Sequence, residues 1–153
     1  MAQKWRVALG CDEAAYDMKE AMIEHVRSLG HEVEDFGTHD AKPVLYPDIA
    51  IKVAEAVAEG RHDRGILMCG TGIGVAISAN KVPGIRAAQA HDTYSAERAR
   101  KSNDAQIVTM GARVIGIELA KTIVEAFLGS EFESGGRSQP KVDRIEAYEQ
   151  SHR

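Results

Sequence analysis

Cys69 closes a run of three apolar residues, and glycines follow it at every second position: residues 66–75 read ILMCGTGIGV. A thiol placed there has two possible meanings. Uncharged, cysteine packs in cores as a small hydrophobe; as a thiolate it serves as a base or a nucleophile. A helix start behind the thiol favours the charged form and burial among Ile66, Leu67 and Met68 favours the neutral one, so spacing alone leaves both open. Gly70, Gly72 and Gly74 allow the backbone to turn sharply and approach a ligand, and the N–H groups opening the next helix would donate to an anion. A phosphate, a carboxylate or an enolate oxygen would each fit. A second cluster, Cys11-Asp12-Glu13, follows the first strand-like run. There Cys11 is expected to face the core, and the two carboxylates either meet a ligand or cap the helix beginning at Ala14.

Three common explanations of a glycine-rich strand-to-helix turn fail. A dinucleotide fingerprint counted from Gly70 meets Val75 where its third glycine belongs, and counted from Gly72 it meets Ile77. A phosphate loop of the Walker type needs Lys followed by Ser or Thr, and Lys81 is far out of register. A cysteine-phosphatase loop would want arginine at Val75.

The chain has 153 residues, about one domain's length, with 44% hydrophobic and 27% charged residues, which fits a globular protein and not a disordered one. A net charge of -4 disfavours nucleic acid and anionic lipid as partners. MAQKWRVALG enters a strand-like run without a secretory signal, and no apolar run approaches a membrane span, so a cytoplasmic protein is expected. Cys11 and Cys69 form no CxxC, and no His pair has metal-ligand spacing, so free thiols, no metal and no cofactor are expected. His25, His31, His39, His62 and His152 are scattered in polar surroundings and read as surface residues.

The elements that must carry these groups alternate. Strand-like runs at 5–11, 31–37, 65–69, 85–90 and 105–111 are separated by helical periodicities at 14–29, 46–60, 73–80, 91–102 and 115–128. Pro47 marks one helix start, and Asp92 is the cap candidate of another. Five strands joined by helices imply a parallel sheet covered on both faces, a three-layer α/β/α Rossmann-like fold. The whole chain, 1–153, reads as a single domain. Residues 130–153 form a polar, glycine-rich tail and a final helix with Val142, Ile145 and Tyr148 on one side, too little apolar surface to stand alone and expected to dock on the partner subunit. In such sheets ligands bind at the carboxyl ends of the strands, which makes Asp12 and Cys69 the prime suspects.

Beyond spacing, CGTGIGVAISANKVPGIRAA, the HDTYSAERA helix start, SNDAQIVTMGARVIGIELAK and the closing GGR together resemble the family of type B ribose-5-phosphate isomerases and galactose-6-phosphate isomerases, from Val7 to about Tyr148. The resemblance implies a metal-free aldose–ketose isomerase that works through an enediolate, as a homodimer or a tetramer of paired dimers, with its site between subunits. By the same resemblance Cys69 is the base, Thr71 handles the substrate oxygen, and the amides of Gly70, Gly72 and Gly74 stabilise the enediolate. Asp12, Glu13, Tyr46 and Asn103 fall where the family contacts the sugar, and Arg113, Arg137 and Lys141 where it holds phosphate, the last two reaching across the dimer.

Departures from the pattern bear on the substrate. Glu13 and Ser102 stand where the family commonly has histidines, and Ser138 where a histidine is frequent; the one at the Ser102 position is credited with opening the furanose ring of ribose 5-phosphate. A four-carbon sugar phosphorylated on O4 cannot close that ring. Tetrose phosphates such as D-erythrulose 4-phosphate and D-erythrose 4-phosphate are therefore expected on equal footing with ribulose and ribose 5-phosphates, unless His91 opens rings instead. Two other classes stay open: a non-catalytic sugar-phosphate-binding module derived from the isomerase fold, and a thiol redox protein in which Cys11 resolves Cys69.

Overall fold

The computed structural model describes residues 3–153. Five strands, β1 (Arg6–Cys11), β2 (Glu32–Asp35), β3 (Arg64–Cys69), β4 (Ala87–Gln89) and β5 (Ile107–Gly111), form one parallel sheet in the order β2-β1-β3-β5-β4. The helices are α1 (Tyr16–Ser28), α2 (Tyr46–Ala58), α3 (Ile73–Ala79), α4 (Thr93–Lys101), α5 (Ile117–Leu128) and α6 (Gln139–Ser151). β3 from Gly65 onward and all of β5 are buried because both of their faces are covered. One core lies between the sheet and α1, α4 and α5, with Met22, Val26, Ile123 and Phe127 at its centre. The other lies between the sheet and α2 and α3, around Val53, Leu67 and Val75. The expected three-layer architecture is the observed one.

The chain runs outward from β1 to β2 and returns to the other side of β1 as β3, so the strand order reverses between β1 and β3. At that switch point the loops diverge and leave a crevice beyond the carboxyl ends. Asp12 and Cys69 stand there, and the Asp12 amide donates to the Met68 carbonyl at 3.2 Å.

Element ends differ from the periodicity for local reasons. Asp12 accepts from the Ala14 amide at 3.0 Å, and the first helix opens with a 3-10 turn at Glu13–Ala15 before α1 begins. Residues 85 and 86 leave the expected fourth strand: Ile85 donates to Val82 in a turn, and the Arg86 amide donates to the side chain of Gln106 at 2.8 Å. Asp92 caps α4 as expected, accepting from the Ser95 amide at 2.6 Å. Three histidines expected on the surface are half-buried instead: His25 lies 2.9 Å from Glu125, between α1 and α5, His62 lies 2.9 Å from Glu34, and His31 accepts the Trp5 amide at 3.0 Å.

Lys19 is wholly buried on α1, with Asp35 of β2 at 2.7 Å and Glu20 at 3.2 Å. Burial presses its ammonium towards neutrality, but the hydrogen bonds to Asp35 and Glu20 outweigh that and hold its pKa above the ordinary value. The tail makes contacts within its own chain. Val142 is buried, Glu146 pairs with Arg86, and Glu149 accepts from the Gly84 amide at 2.9 Å. Ile145 and Tyr148 of the same helix stay exposed. Among the described residues no helix is long and apolar enough to cross a membrane.

Candidate active site

Cys69 is the last residue of β3, opposite Gly111 of β5, and only 4% exposed. Its sulfur accepts the Gly72 N–H at 3.1 Å. Such a bond is stronger to a sulfur that carries negative charge. Gly72 adopts a left-handed conformation, φ +77°, and a Cβ there would stand 2.7–2.9 Å from the Met110 backbone. Only glycine permits both at once.

The loop carbonyls are all turned onto the protein. Cys69 O accepts from Ala112, Gly70 O from Arg113, Thr71 O from the Gln89 side chain and Gly72 O from the Thr109 hydroxyl. The amides of Gly70 and Thr71 have no acceptor among the described residues. An oxyanion-binding loop needs donors left unpaired in this way. Thr71 is exposed, its hydroxyl accepting from the Ile73 amide at 3.2 Å.

Neighbouring elements bring further expected residues to this loop. The Arg113 guanidinium packs over Gly70, where a Cβ would come within 3.2 Å of Nη1. Burial raises the pKa of Asp12, helped by the charge of Glu13, while nearby Arg113 draws it down. Tyr46 opens α2 and lays its phenol on Gly74, where a Cβ would be only 2.3–2.5 Å from the ring. Glu13 fixes the segment leading to Tyr46, accepting from the Val44 amide at 3.2 Å.

The remaining expected residues gather elsewhere. Asn103, Arg137 and Lys141 line a cavity of about 740 Å³ together with Arg98, Lys101 and Ser102. Glu131 and Glu133 also line it, yet Arg98, Arg137 and Lys141 have no carboxylate within 4.0 Å among the described residues. Asp12, Tyr46, Cys69, Thr71 and Arg113 are not among the residues that line it. One chain therefore carries two groups: a thiol with unpaired amides, and a cavity rich in free cations. Arg86 braces the second group, donating to the carbonyls of Asn103 and Asp104 and pairing with Glu146 on the helix that carries Lys141.

Sequence reasoning missed Arg98 and Arg86. The first had a readable signal, since Arg98 and Ser102 are four residues apart on one helical face beside Asn103; Arg86 had none, because its partners come from distant segments. His91 has one ring nitrogen engaged, its Nε2 accepting the Gly111 amide at 2.9 Å. Cys11 and Cys69 end adjacent strands, but Cys11 belongs to the core under α1 and Cys69 to the core under α2. With thiols on opposite faces of the sheet, Cys11 cannot resolve Cys69. Among the described residues no cluster of three or more His, Cys, Asp or Glu side chains is placed to ligate a metal.

Comparison with known proteins agrees with this geometry. The chain is 56% identical over 148 residues to "Ribose-5-P isomerase B" of Listeria innocua, covering 97% of this chain and 99% of that protein. It is 54% identical over 144 residues to "D-erythrulose-4-phosphate isomerase" of Pectobacterium atrosepticum, covering 94% of each. The solved type B ribose 5-phosphate isomerase of Leishmania infantum superposes with a TM-score of 0.94 at 41% identity, over 99% of this chain and 100% of that one. With the ribose/galactose isomerase model matching residues 7–145, this chain belongs to that family.

Proposed function

We propose that this chain interconverts the aldose and ketose forms of a phosphorylated sugar by proton transfer at Cys69, in a site completed by a second copy of itself. That it is a sugar-phosphate isomerase follows from its family. The role of Cys69 is supported above all by one observation: its sulfur accepts a main-chain N–H inside a loop whose foremost amides are unpaired.

Arg137 and Lys141 hold the substrate phosphate, the guanidinium offering two parallel N–H donors. This sets the reach of the carbon chain. The Cys69 thiolate takes the proton from C2 of the aldose, and the electron pair moves onto the C1 carbonyl oxygen to give an enediolate. The amides of Gly70 and Thr71 meet that charge, while the Gly72 amide, expected to join them, is held by the Cys69 sulfur; losing one such donor typically costs about 2.7–4 kcal/mol. Thr71 relays the O2 hydroxyl proton to O1, and sulfur returns its proton to C1, leaving a ketone at C2. Asp12 and Tyr46 orient hydroxyls, Asn103 contacts the sugar from the other half, and Arg113 lies over Gly70 as a second cation. Glu13 positions the loop before Tyr46.

A homodimer is the reading that joins thiol and cations, and exposed apolar side chains at Leu45, Ile73, Ile77 and Val114 around the first group supply a surface for it. Cytoplasmic sugar metabolism is the setting we propose. Tetrose 4-phosphates and pentose 5-phosphates are both substrates to test. A panel of C4 to C6 sugar phosphates assayed with the protein and its Cys69→Ala variant checks the reading. We expect turnover by the wild type and a loss of at least about 10²-fold in kcat for the variant. Binding without turnover by both would mark a sensor instead.

A further inference from the structure

Arg98 and Ser102 lie one helical turn apart at the end of α4, and both line the cavity that holds Asn103, Arg137 and Lys141. The Ser102 oxygen accepts from Arg98 Nε at 2.8 Å and from Nη2 at 2.5 Å. A hydroxyl has two lone pairs and one proton, so with both lone pairs engaged Ser102 is left only a proton to donate. Arg98 spends its Nε/Nη2 edge on this contact. Nη1 has no acceptor among the described residues, and with the second hydrogen of Nη2 it forms another edge able to grip two oxygens at once.

We propose that Arg98, oriented by Ser102, contacts the substrate and determines its class: the pair is a donor-only clamp on a substrate oxyanion, suited to sugar phosphates that arrive open-chain. The proposal rests on the isomerase reading above. Opening a furanose requires a base to take the proton of the anomeric hydroxyl and an acid to protonate the ring oxygen. A guanidinium stays charged at any working pH and accepts no proton, and Ser102 has no lone pair to spare. The clamp can bind and polarise an oxygen, but it cannot open a ring. A tetrose phosphorylated on O4 has only O2 and O3 with which to attack its carbonyl, and the resulting rings are too strained to form. Such a substrate needs grip and no ring opening.

The test measures kcat and KM on D-erythrose 4-phosphate and on ribose 5-phosphate for the wild type, Arg98→Leu, Arg98→Lys and the double variant R98L/S102H. In the wild type kcat/KM is expected to be higher on the tetrose phosphate. Arg98→Leu should lower that value about tenfold to a hundredfold, mainly through KM. Arg98→Lys should recover only part of it, because the charge returns without the two-pronged edge. The double variant puts an imidazole in place of the clamp, and the ratio of kcat/KM for ribose 5-phosphate over the tetrose phosphate should rise about a hundredfold. Thermal melts identify any variant that fails to fold. In that event Ser102→Ala, which removes the orienting oxygen and leaves the arginine, should raise KM on the tetrose phosphate.

Three results would overturn the clamp: a wild-type preference for ribose 5-phosphate, unchanged tetrose kinetics in folded Arg98→Leu, or a double variant that loses both substrates in proportion. A wild type with no turnover of any sugar phosphate would instead overturn the isomerase reading itself.

Discussion

Cys11 and Cys69 end neighbouring strands and live in different chemistry. Cys69 receives an N–H on its sulfur beside unpaired amides, whereas Cys11 faces Met18 and Met68 in the core, where burial pushes its thiol up to about 12. That shift gives the fold a measurable pH dependence. The unfolded thiol titrates near 9.0 while the folded one keeps its proton to about 12, so in that window the folded state binds more protons and stability falls as pH rises. The loss approaches about 1.4 kcal/mol per pH unit. Denaturant unfolding of wild type and Cys11→Ala at several pH values checks this: the variant should show the shallower decline above pH 9, whatever its offset from the lost sulfur contacts.

α2 and α3 meet through a contact that ties packing to catalysis. Tyr46 at the start of α2 covers Gly74 so closely that an added Cβ would stand 2.3–2.5 Å from its ring. Gly74→Ala must therefore displace the phenol from the site. We expect kcat/KM to fall about tenfold or more and stability to drop by about 1–3 kcal/mol from overpacking. In a Tyr46→Ala background the same substitution should cost far less stability, because the clashing ring is gone; a double-mutant cycle by thermal melting reads the difference. The helices and strands themselves were legible from periodicity, Pro47 and Asp92, all of which act locally. Their ends were less so. The fourth strand shortens because the Arg86 amide is taken by Gln106, twenty positions away in sequence, and no window of neighbouring residues contains that information.

Two half-sites on one chain predict complementation between defective copies. Cys69→Ala retains the cation cavity, and Arg137→Ala retains the thiol. Mixed and allowed to exchange subunits, the two inactive variants should recover about a quarter of wild-type activity, since random pairing makes half the dimers mixed and each of these carries one intact site. Activity after mixing, with the separately assayed variants as baseline, checks it. No recovery would place a complete site within each chain.

The α/β alternation, the thiol at the end of a buried strand and the glycines behind it follow from residue types and short spacings, because periodicity and backbone freedom are local properties. The sequence also named Asn103, Arg137 and Lys141 through its resemblance to a family. It could not say that these line one cavity while Cys69, Thr71, Asp12, Tyr46 and Arg113 gather at another place. Nor could it say that Arg98 turns onto Ser102 in the first of these. Those facts depend on the strand order β2-β1-β3-β5-β4 and on side chains meeting across the sheet's loops, and such long-range pairings are settled by the packing of the whole chain.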